Sequence, residues 1–570
     1  MNKERKNWSK GAIVGFISNL ATDKITDIRK RVSKYRLTDF FMSVFGVFDQ
    51  KIPSLHEYEG LLNDTVFVDN MKNLYLINHL PSDTQIRERL DVVDSKEIQK
   101  IFNSVISKFQ QDKLLEVFRY YKDEYLLAID GTQHFRSSTI HCACCSVQKN
   151  NKTGIVKSYY HSILHAVIVN PSINQCLPII SEPMSSKDGD IKSDCELNAI
   201  KRLLKKVKNM HPHLKFTVTL DALFAVKPII DLLNECGFNY ITVTKNQYLH
   251  NNIGPKNSES FVVINNNVEC NYTFANDMPL NKSHQDVKVN YLKYTESKSI
   301  NFNKVQFISL PNNPEILDYM NEYDNPMIIN KEGKVYVKSD RSVSTILYCK
   351  EFNDTTNNFK KDIKYNLSLT SIFQKEIDSN SEFAIQWKSM QEINKDVTTT
   401  EKLYHKNVKG DIFVYYNEQL KKSSDGLLPK IKEIFKSYKF ECYYNEWITN
   451  IEINRENATL IMQGGRSKWM IENETFNALK NQGYNYEHNY GHGYTSLSNN
   501  LSMIMMLVFL VNQIEAFVGY YYELLRKKFK TKKLFNEKIK SSFISTVFTK
   551  WQDLYIYMLK KMNLNLESTQ

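Results

Sequence analysis

The chain has 570 residues, of which 42% are hydrophobic and 24% charged, and its formal net charge is +12. It is too long for one ordinary core, so two to four domains are expected, and the composition excludes a disordered or fibrous chain. Nine cysteines, an odd number scattered from Cys142 to Cys442, argue against a disulfide framework and for a reducing cytoplasm.

The surplus of Lys and Arg favours a polyanionic partner, because such side chains release the counterions that phosphates hold. No secretory signal follows Met1, and no membrane segment is expected. The most apolar run, Leu501 to Val511, is too short to span a bilayer and leads into Asn512, Gln513 and Glu515. It reads as a buried helix.

Residues 1–120 read as helical. Gly and Pro are sparse, and apolar residues recur at helical spacing in Phe40 to Phe45 and Ile101 to Ile106. Lys24, Arg29, Lys30, Arg31, Lys34 and Arg36 make this region basic, so it either binds DNA or is a solvated cap, and it is assigned to DNA binding. Gln85 to Val92 reads as an exposed helix face.

From Glu124 the pattern turns to strands. Tyr125 to Ile129 is an apolar run that ends at Asp130 and Gly131, as a buried strand would. Ser162 to Val169 is a second strand. Cys176 to Ile180 is a third, which Pro178 should keep short or at an edge. Cys195 to Lys208 is helical, with Asp194 as its N-cap and Leu197, Ile200, Leu203, Leu204 and Val207 on one face. Phe216 to Leu220 is a fourth strand, ending at Asp221. Pro228 to Cys236 is a helix stopped by Gly237, and Tyr240 to Thr244 is a fifth strand. Three close strands suit an antiparallel meander, and strands joined through helices suit parallel pairing. The order resembles the ribonuclease-H-like fold, in which the first and fourth strands lie side by side. That resemblance brings Asp130 next to Asp221.

Residues 246–455 are rich in Asn, Thr, Tyr and Lys, with short alternating runs such as Val335 to Lys338 and Asp411 to Tyr416. They read as an inserted, β-rich domain, with Asn353 to Lys361 disordered. Residues 121–245 and 456–496 are then two parts of one catalytic core, and residues 497–570 a helical C-terminal region. Arg526, Lys527, Lys528, Lys530, Lys532, Lys533, Lys538 and Lys540 crowd the last of these.

Phosphoryl transfer on DNA needs an activated attacking oxygen and a stabilised leaving oxygen. Two Mg²⁺ or Mn²⁺ ions about 3.5–4 Å apart supply both, and these hard ions take carboxylate oxygens. Asp130 and Asp221 are two candidate ligands at strand ends. The third comes from a resemblance. Gly464 to Lys480, with Ile471-Glu472 after an aromatic residue, looks like the C-terminal signature of bacterial insertion-sequence DDE transposases. It is closest to the branch with a β-strand insertion domain, whose signature is Tyr, Arg, Glu, Lys along one helix. Gly483-Tyr484, Glu487 to Gly493, Leu126 to Gln133 and Asp194 to Ala199 are similar to the same branch. The resemblance places Glu472 at the catalytic Glu and implies DNA contacts from Arg466, Lys468 and Lys480. The resemblance also implies a DNA hairpin intermediate at the cleaved end, and Trp447 would be the insertion-domain aromatic that stacks on the base flipped from that end. Its other reading is core, since a Trp beside Ile448 in a strand usually packs inward.

The sequence departs from the signature at several points. Lys468 stands where Arg is expected and Gly465 where Tyr is. Lys480 follows Glu472 by eight positions rather than seven, and Glu472 follows Asp221 by 251. Lys keeps the charge of Arg but not its bidentate fork. The resemblance implies an RNase H-like core and a metal-dependent transposase that cuts element ends and joins the free 3′-hydroxyl to target DNA. Its partners would be terminal inverted repeats and target DNA, held by a homodimer on paired ends near the bacterial nucleoid. The alternatives are a nuclease of the same fold without strand transfer, and a transposase-derived DNA-binding protein without catalysis.

Two further clusters are read as bland. Cys142-x₂-Cys145 with His161 supplies three groups of a zinc type and no evident fourth, so ordinary loop thiols are expected. His488 and His492 sit among glycines and read as loop residues rather than ligands. Glu196 reads as a first-turn helix residue.

Overall fold

The computed structural model describes residues 8–29, 34–142, 145–150, 153–184, 192–254, 257–266, 268–299 and 439–562, with five short strands between 305 and 417. The chain is mixed α/β, with one large mixed sheet and many helices. It divides into two compact units. The first comprises 1–258, 274–292 and 446–570, and the second comprises 259–273 and 293–445.

Among the described residues of the first unit, six α-helices come before the sheet: α1 (Lys10–Lys24), α2 (Leu37–Asp49), α3 (Leu55–Leu61), α4 (Thr65–Tyr75), α5 (Asp83–Asp91) and α6 (Ser95–Gln111). Side-chain caps set several of their starts. Ser54, Asp64 and Ser82 each accept from a backbone N–H three residues on, satisfying donors that a helix leaves open. The reading of 85–92 as an exposed face needs correction. α5 is amphipathic, with Ile86 and Leu90 buried and Glu88 and Arg89 exposed. Lys30 and Arg31 lie outside the described residues.

The sheet strands that frame the site are β1 (Glu124–Ser137), β2 (Ser146–Lys149), β3 (Val156–Asn170), β4 (Ile173–Met184), β5 (Phe216–Leu220), β6 (Asn239–Val243) and the end of β7 (Lys439–Thr449). β3 pairs antiparallel with β1 on one side and with β2 and β4 on the other. β1 pairs parallel with β5, and β5 parallel with β6. β7 then pairs antiparallel with β6. Tyr125 to Ile129 and all of β5 are buried, which explains why they read as unbroken apolar runs. β4 pairs only with β3, as Pro178 and Pro183 demand of an edge strand, yet it runs for 12 residues. The register slips between Ala166 and Val167, next to the partner of Pro178.

The crossover helices are α7 (Lys192–Met210) and α8 (Lys227–Glu235). α7 starts two residues before Asp194, which is therefore inside the helix rather than at its cap. Gly237 stops α8 with φ +69°, a conformation that costs glycine little. After the sheet come α9 (Ala458–Ser467), a π-helical turn (Ile471–Phe476), α10 (Asn477–Asn481), α11 (Leu497–Val518), α12 (Tyr520–Arg526), α13 (Lys532–Ser545) and α14 (Trp551–Lys561). α11 is long and apolar enough to cross a membrane by length and composition, but it is the central core helix and 83% of its apolar window is buried. It packs on β4, α2 and α6.

The N-terminal helices and the C-terminal ones share this core instead of forming a body of their own. Lys10 of α1 is buried between Asp49 of α2 (2.9 Å) and Glu515 of α11 (3.1 Å). Tyr75 and Tyr555 donate to the same two carboxylates. Such a network is costly to break at any one member, because the remaining charge would be buried alone.

The second unit is rich in strands. Val305–Leu310 pairs parallel with Ile412–Asn417, which pairs antiparallel with His405–Lys406. Ile328–Lys331 and Lys334–Val337 form a hairpin. Asn353 to Lys361 lies outside the described residues.

Candidate active site

The parallel pairing of β1 and β5 ends with Ala128 opposite Thr219. Two residues further on, the same register sets Asp130 beside Asp221. Asp221 follows the last residue of β5 and opens a short turn, Ala222–Phe224. Asp130 is not at a strand end, however. β1 continues to Ser137, paired with β3 alone. The carboxylate therefore projects where one neighbour strand has stopped and the other still braces the backbone.

Glu472 lies in the π-helical turn after α9. One carboxylate oxygen from each of Asp130, Asp221 and Glu472 lies within 4.8 Å of the others. Lys468, four residues before Glu472, points its ammonium into the group. Nζ is 3.2 Å from Asp130, 2.6 Å from Asp221 and 2.9 Å from Glu472. The Lys468 side chain is 6% exposed, whereas those of Asp221 and Glu472 are about half exposed. Burial raises the Asp130 carboxyl to about 6, helped by the Asp221 charge and opposed by Lys468. Burial acts to lower the Lys468 pKa, but Asp130 and Asp221 outweigh it and hold the ammonium above its ordinary range. Three hard oxygen donors converge on one point that already attracts a cation. This donor set fits Mg²⁺ or Mn²⁺.

No family model and no curated protein matches the chain. The case for the site therefore rests on its geometry and on the residues that frame it.

Two departures from the resembled signature have local causes. A Cβ on Gly465 would fall 2.6 Å from Trp447 Cε2 and 2.7 Å from Cδ1, so the Trp447 ring occupies the space a side chain at 465 would need. Gly464 is equally tight, with a Cβ 2.8 Å from Ile241 Cδ1. α9 can lie this close to the sheet only because both positions lack side chains. The eight-residue spacing from Glu472 to Lys480 spans the π-helical turn, which carries more residues per turn than an α-helix and so takes up the extra one. Lys480 then meets Glu487 at 2.6 Å.

Of the other predicted contacts, Arg466 is exposed on α9. Trp447 is 0% exposed and its buried indole N–H has no hydrogen-bond partner among the described residues. In this conformation the ring is core and no base can reach it. Trp469, which sequence reading passed over, is 61% exposed immediately after Lys468. Glu196 is outside the carboxylate group.

The loop after α10 is pinned where it enters α11. Asp91 accepts backbone N–H bonds from Tyr494, Thr495, Ser496 and Leu497 at 2.8 to 3.0 Å. Burial works against the Asp91 carboxylate, but these bonds prevail and hold its pKa below the usual range. Gly493 makes this possible. Its φ is +68°, and a Cβ there would sit 2.8 Å from Asp91 Cγ.

Proposed function

We propose that the chain is a DDE-type DNA transposase with an RNase H-like core, using Asp130, Asp221 and Glu472 for two-metal phosphoryl transfer. The observation that carries this reading is the convergence of the three carboxylates at the end of a parallel strand pair. The strand order, third–second–first–fourth–fifth among β4, β3, β1, β5 and β6, supports it. Bound Mg²⁺ or Mn²⁺ would supply Lewis acidity to the attacking and leaving oxygens of the phosphodiester. The protein's own groups hold and orient the DNA. Arg466 and Lys480 add positive charge on the segment that carries Glu472, and Trp469 offers an exposed ring face on which a base can stack. A precut, labelled end incubated with target DNA and Mg²⁺ tests the reading. Joined product supports a transposase, cleavage without joining makes it a nuclease, and neither product removes the catalytic proposal.

The position of Lys468 favours a second reading, a DNA-binding protein without catalysis, because its ammonium stands where cationic charge is needed. Thermal denaturation of Lys468→Met separates the two. Without divalent ions the variant should lose about 1–3 kcal/mol, since three facing carboxylates lose their counter-charge and two of them are half exposed. Added Mg²⁺ should raise its Tm by more than it raises that of the parent, because no ammonium then competes for the oxygens. Equal and negligible Mg²⁺ responses in both proteins would favour the non-catalytic reading.

End binding should weaken steeply with salt, each neutralised phosphate adding about 0.9 to the log–log slope. The +12 charge and the basic run from Arg526 to Lys540 motivate this. A salt-independent affinity would assign those residues to solubility.

A further inference from the structure

Cys142 and Cys145 leave the sheet in the turn between β1 and β2. His161 is on β3, opposite Phe135 of β1. His492 is in the loop after α10, and it belongs with them. Read from the sequence as a loop residue, it does lie in a loop, and its ring meets the other three side chains.

Four donor atoms meet. Cys142 Sγ and Cys145 Sγ are 3.8 Å apart. His161 Nε2 is 3.5 Å from Cys142 Sγ and 3.3 Å from Cys145 Sγ. His492 Nε2 is 3.4 Å from Cys145 Sγ and 3.2 Å from His161 Nε2. All four lie within 4.8 Å of one another.

A tetrahedral zinc ion with ordinary bond lengths makes a definite demand on these edges. Zn–S of about 2.3 Å and Zn–N of about 2.05 Å imply S···S of about 3.8 Å, S···N of about 3.6 Å and N···N of about 3.3 Å. The five edges above follow that pattern, including its order by atom type. A disulfide does not account for the sulfurs, since bonded sulfurs stand about 2.05 Å apart. Ordinary packing does not account for the nitrogens either. His492 Nδ1 is 2.9 Å from the Gly493 carbonyl, which can only accept, so the proton of a neutral ring sits on Nδ1. That leaves the Nε2 lone pair facing His161 Nε2 and Cys145 Sγ. Such a bond to the outer ring nitrogen is how metal-bound imidazoles are usually oriented. The Cys142 amide also donates to Cys145 Sγ at 3.4 Å, which favours a thiolate there.

We propose that Cys142, Cys145, His161 and His492 bind one structural zinc ion. Four protein ligands close the coordination shell, so the ion has no open position for substrate. Sulfur and imidazole donors also make it a different metal from the one that suits the carboxylate group. The zinc ties the loop that follows the Glu472 helix to the sheet that carries Asp130, and so adds to the Asp91 anchor.

The test is elemental analysis of the untagged, full-length protein purified under reducing conditions from zinc-supplemented medium. One zinc per chain is expected. Cys145→Ser and His492→Ala should each lose it, while Asp221→Ala retains it. Substituting Co²⁺ should give the visible absorption of a tetrahedral site with thiolate ligands. If the variants do not fold, X-ray absorption on the parent decides, with a shell of two sulfurs and two nitrogens expected. A parent protein that carries no zinc and takes none up from zinc-buffered solution overturns the proposal. So does zinc retained in Cys145→Ser and His492→Ala, or a shell without sulfur.

Discussion

Asp130→Ala, Asp221→Ala and Glu472→Gln should each lower DNA cleavage by about 10³-fold or more, on the order of 4 kcal/mol in the barrier, while the chain stays folded and still binds DNA. The expectation follows from how the three groups share their task. Among the described residues no other carboxylate joins the cluster, so each substitution removes one of three ligand oxygens. Folding should tolerate the changes for the same electrostatic reason. Three carboxylates face a single ammonium, and removing one relieves repulsion while leaving Lys468 two partners. Asp130 shows this strain most directly, its carboxyl being raised to about 6 by burial and by Asp221. Its replacement should leave Tm unchanged or raise it, a common result when a costly functional group is removed. Nicking of a labelled end substrate, read beside a gel-shift and a melting curve, measures all three quantities. Nicking retained in Glu472→Gln would move the third role to another residue, Glu474 first. A collapse in Tm would instead make the cluster a structural ion network.

The strands that frame this site were legible because they are buried on both faces. Tyr125 to Ile129 and Phe216 to Leu220 have no solvent side, so their apolar runs are unbroken and their ends are marked by Asp. Where one neighbour is lost, the signal fades. β1 continues through Gly131 to Ser137 with mixed burial, and the sequence read those residues as leaving the sheet. Lys468 could be placed on the right helix but not aimed. Its contacts to Asp130 and Asp221 depend on two strands far away in sequence, and a phosphate-facing Lys has the same local pattern. The fourth ligand of the Cys–His cluster was hidden for a related reason. His492 is 331 residues from His161, and its flanking glycines look like plain loop chemistry until Asp91 is seen to need the space.

Trp447→Ala should cost about 3–5 kcal/mol of stability, the range for deleting a large aromatic side chain from a packed core. The ring is 0% exposed, and Gly465 lies directly against it. Two features separate this loss from a loss of DNA contacts. First, Trp447→Phe should cost much less than Trp447→Ala, because the buried indole N–H has no partner and its removal forfeits no hydrogen bond. A base-stacking role would depend on the exposed face of the ring, and this ring has none. Second, the two sides of the contact should couple. Gly465→Ala alone pushes a methyl group into the indole and should cost about 1–3 kcal/mol by overpacking. In a Trp447→Ala background the same methyl enters a cavity and should cost little or even stabilise. The coupling energy in a double-mutant cycle should therefore exceed about 1 kcal/mol. Urea denaturation of the four proteins measures it. Cleavage and any hairpin formation should fall together in Trp447→Ala, in proportion to the folded fraction. A Trp447→Ala protein with parental stability and a selective loss of hairpin product would mean that the ring leaves the core when DNA binds, and the packing argument would fail.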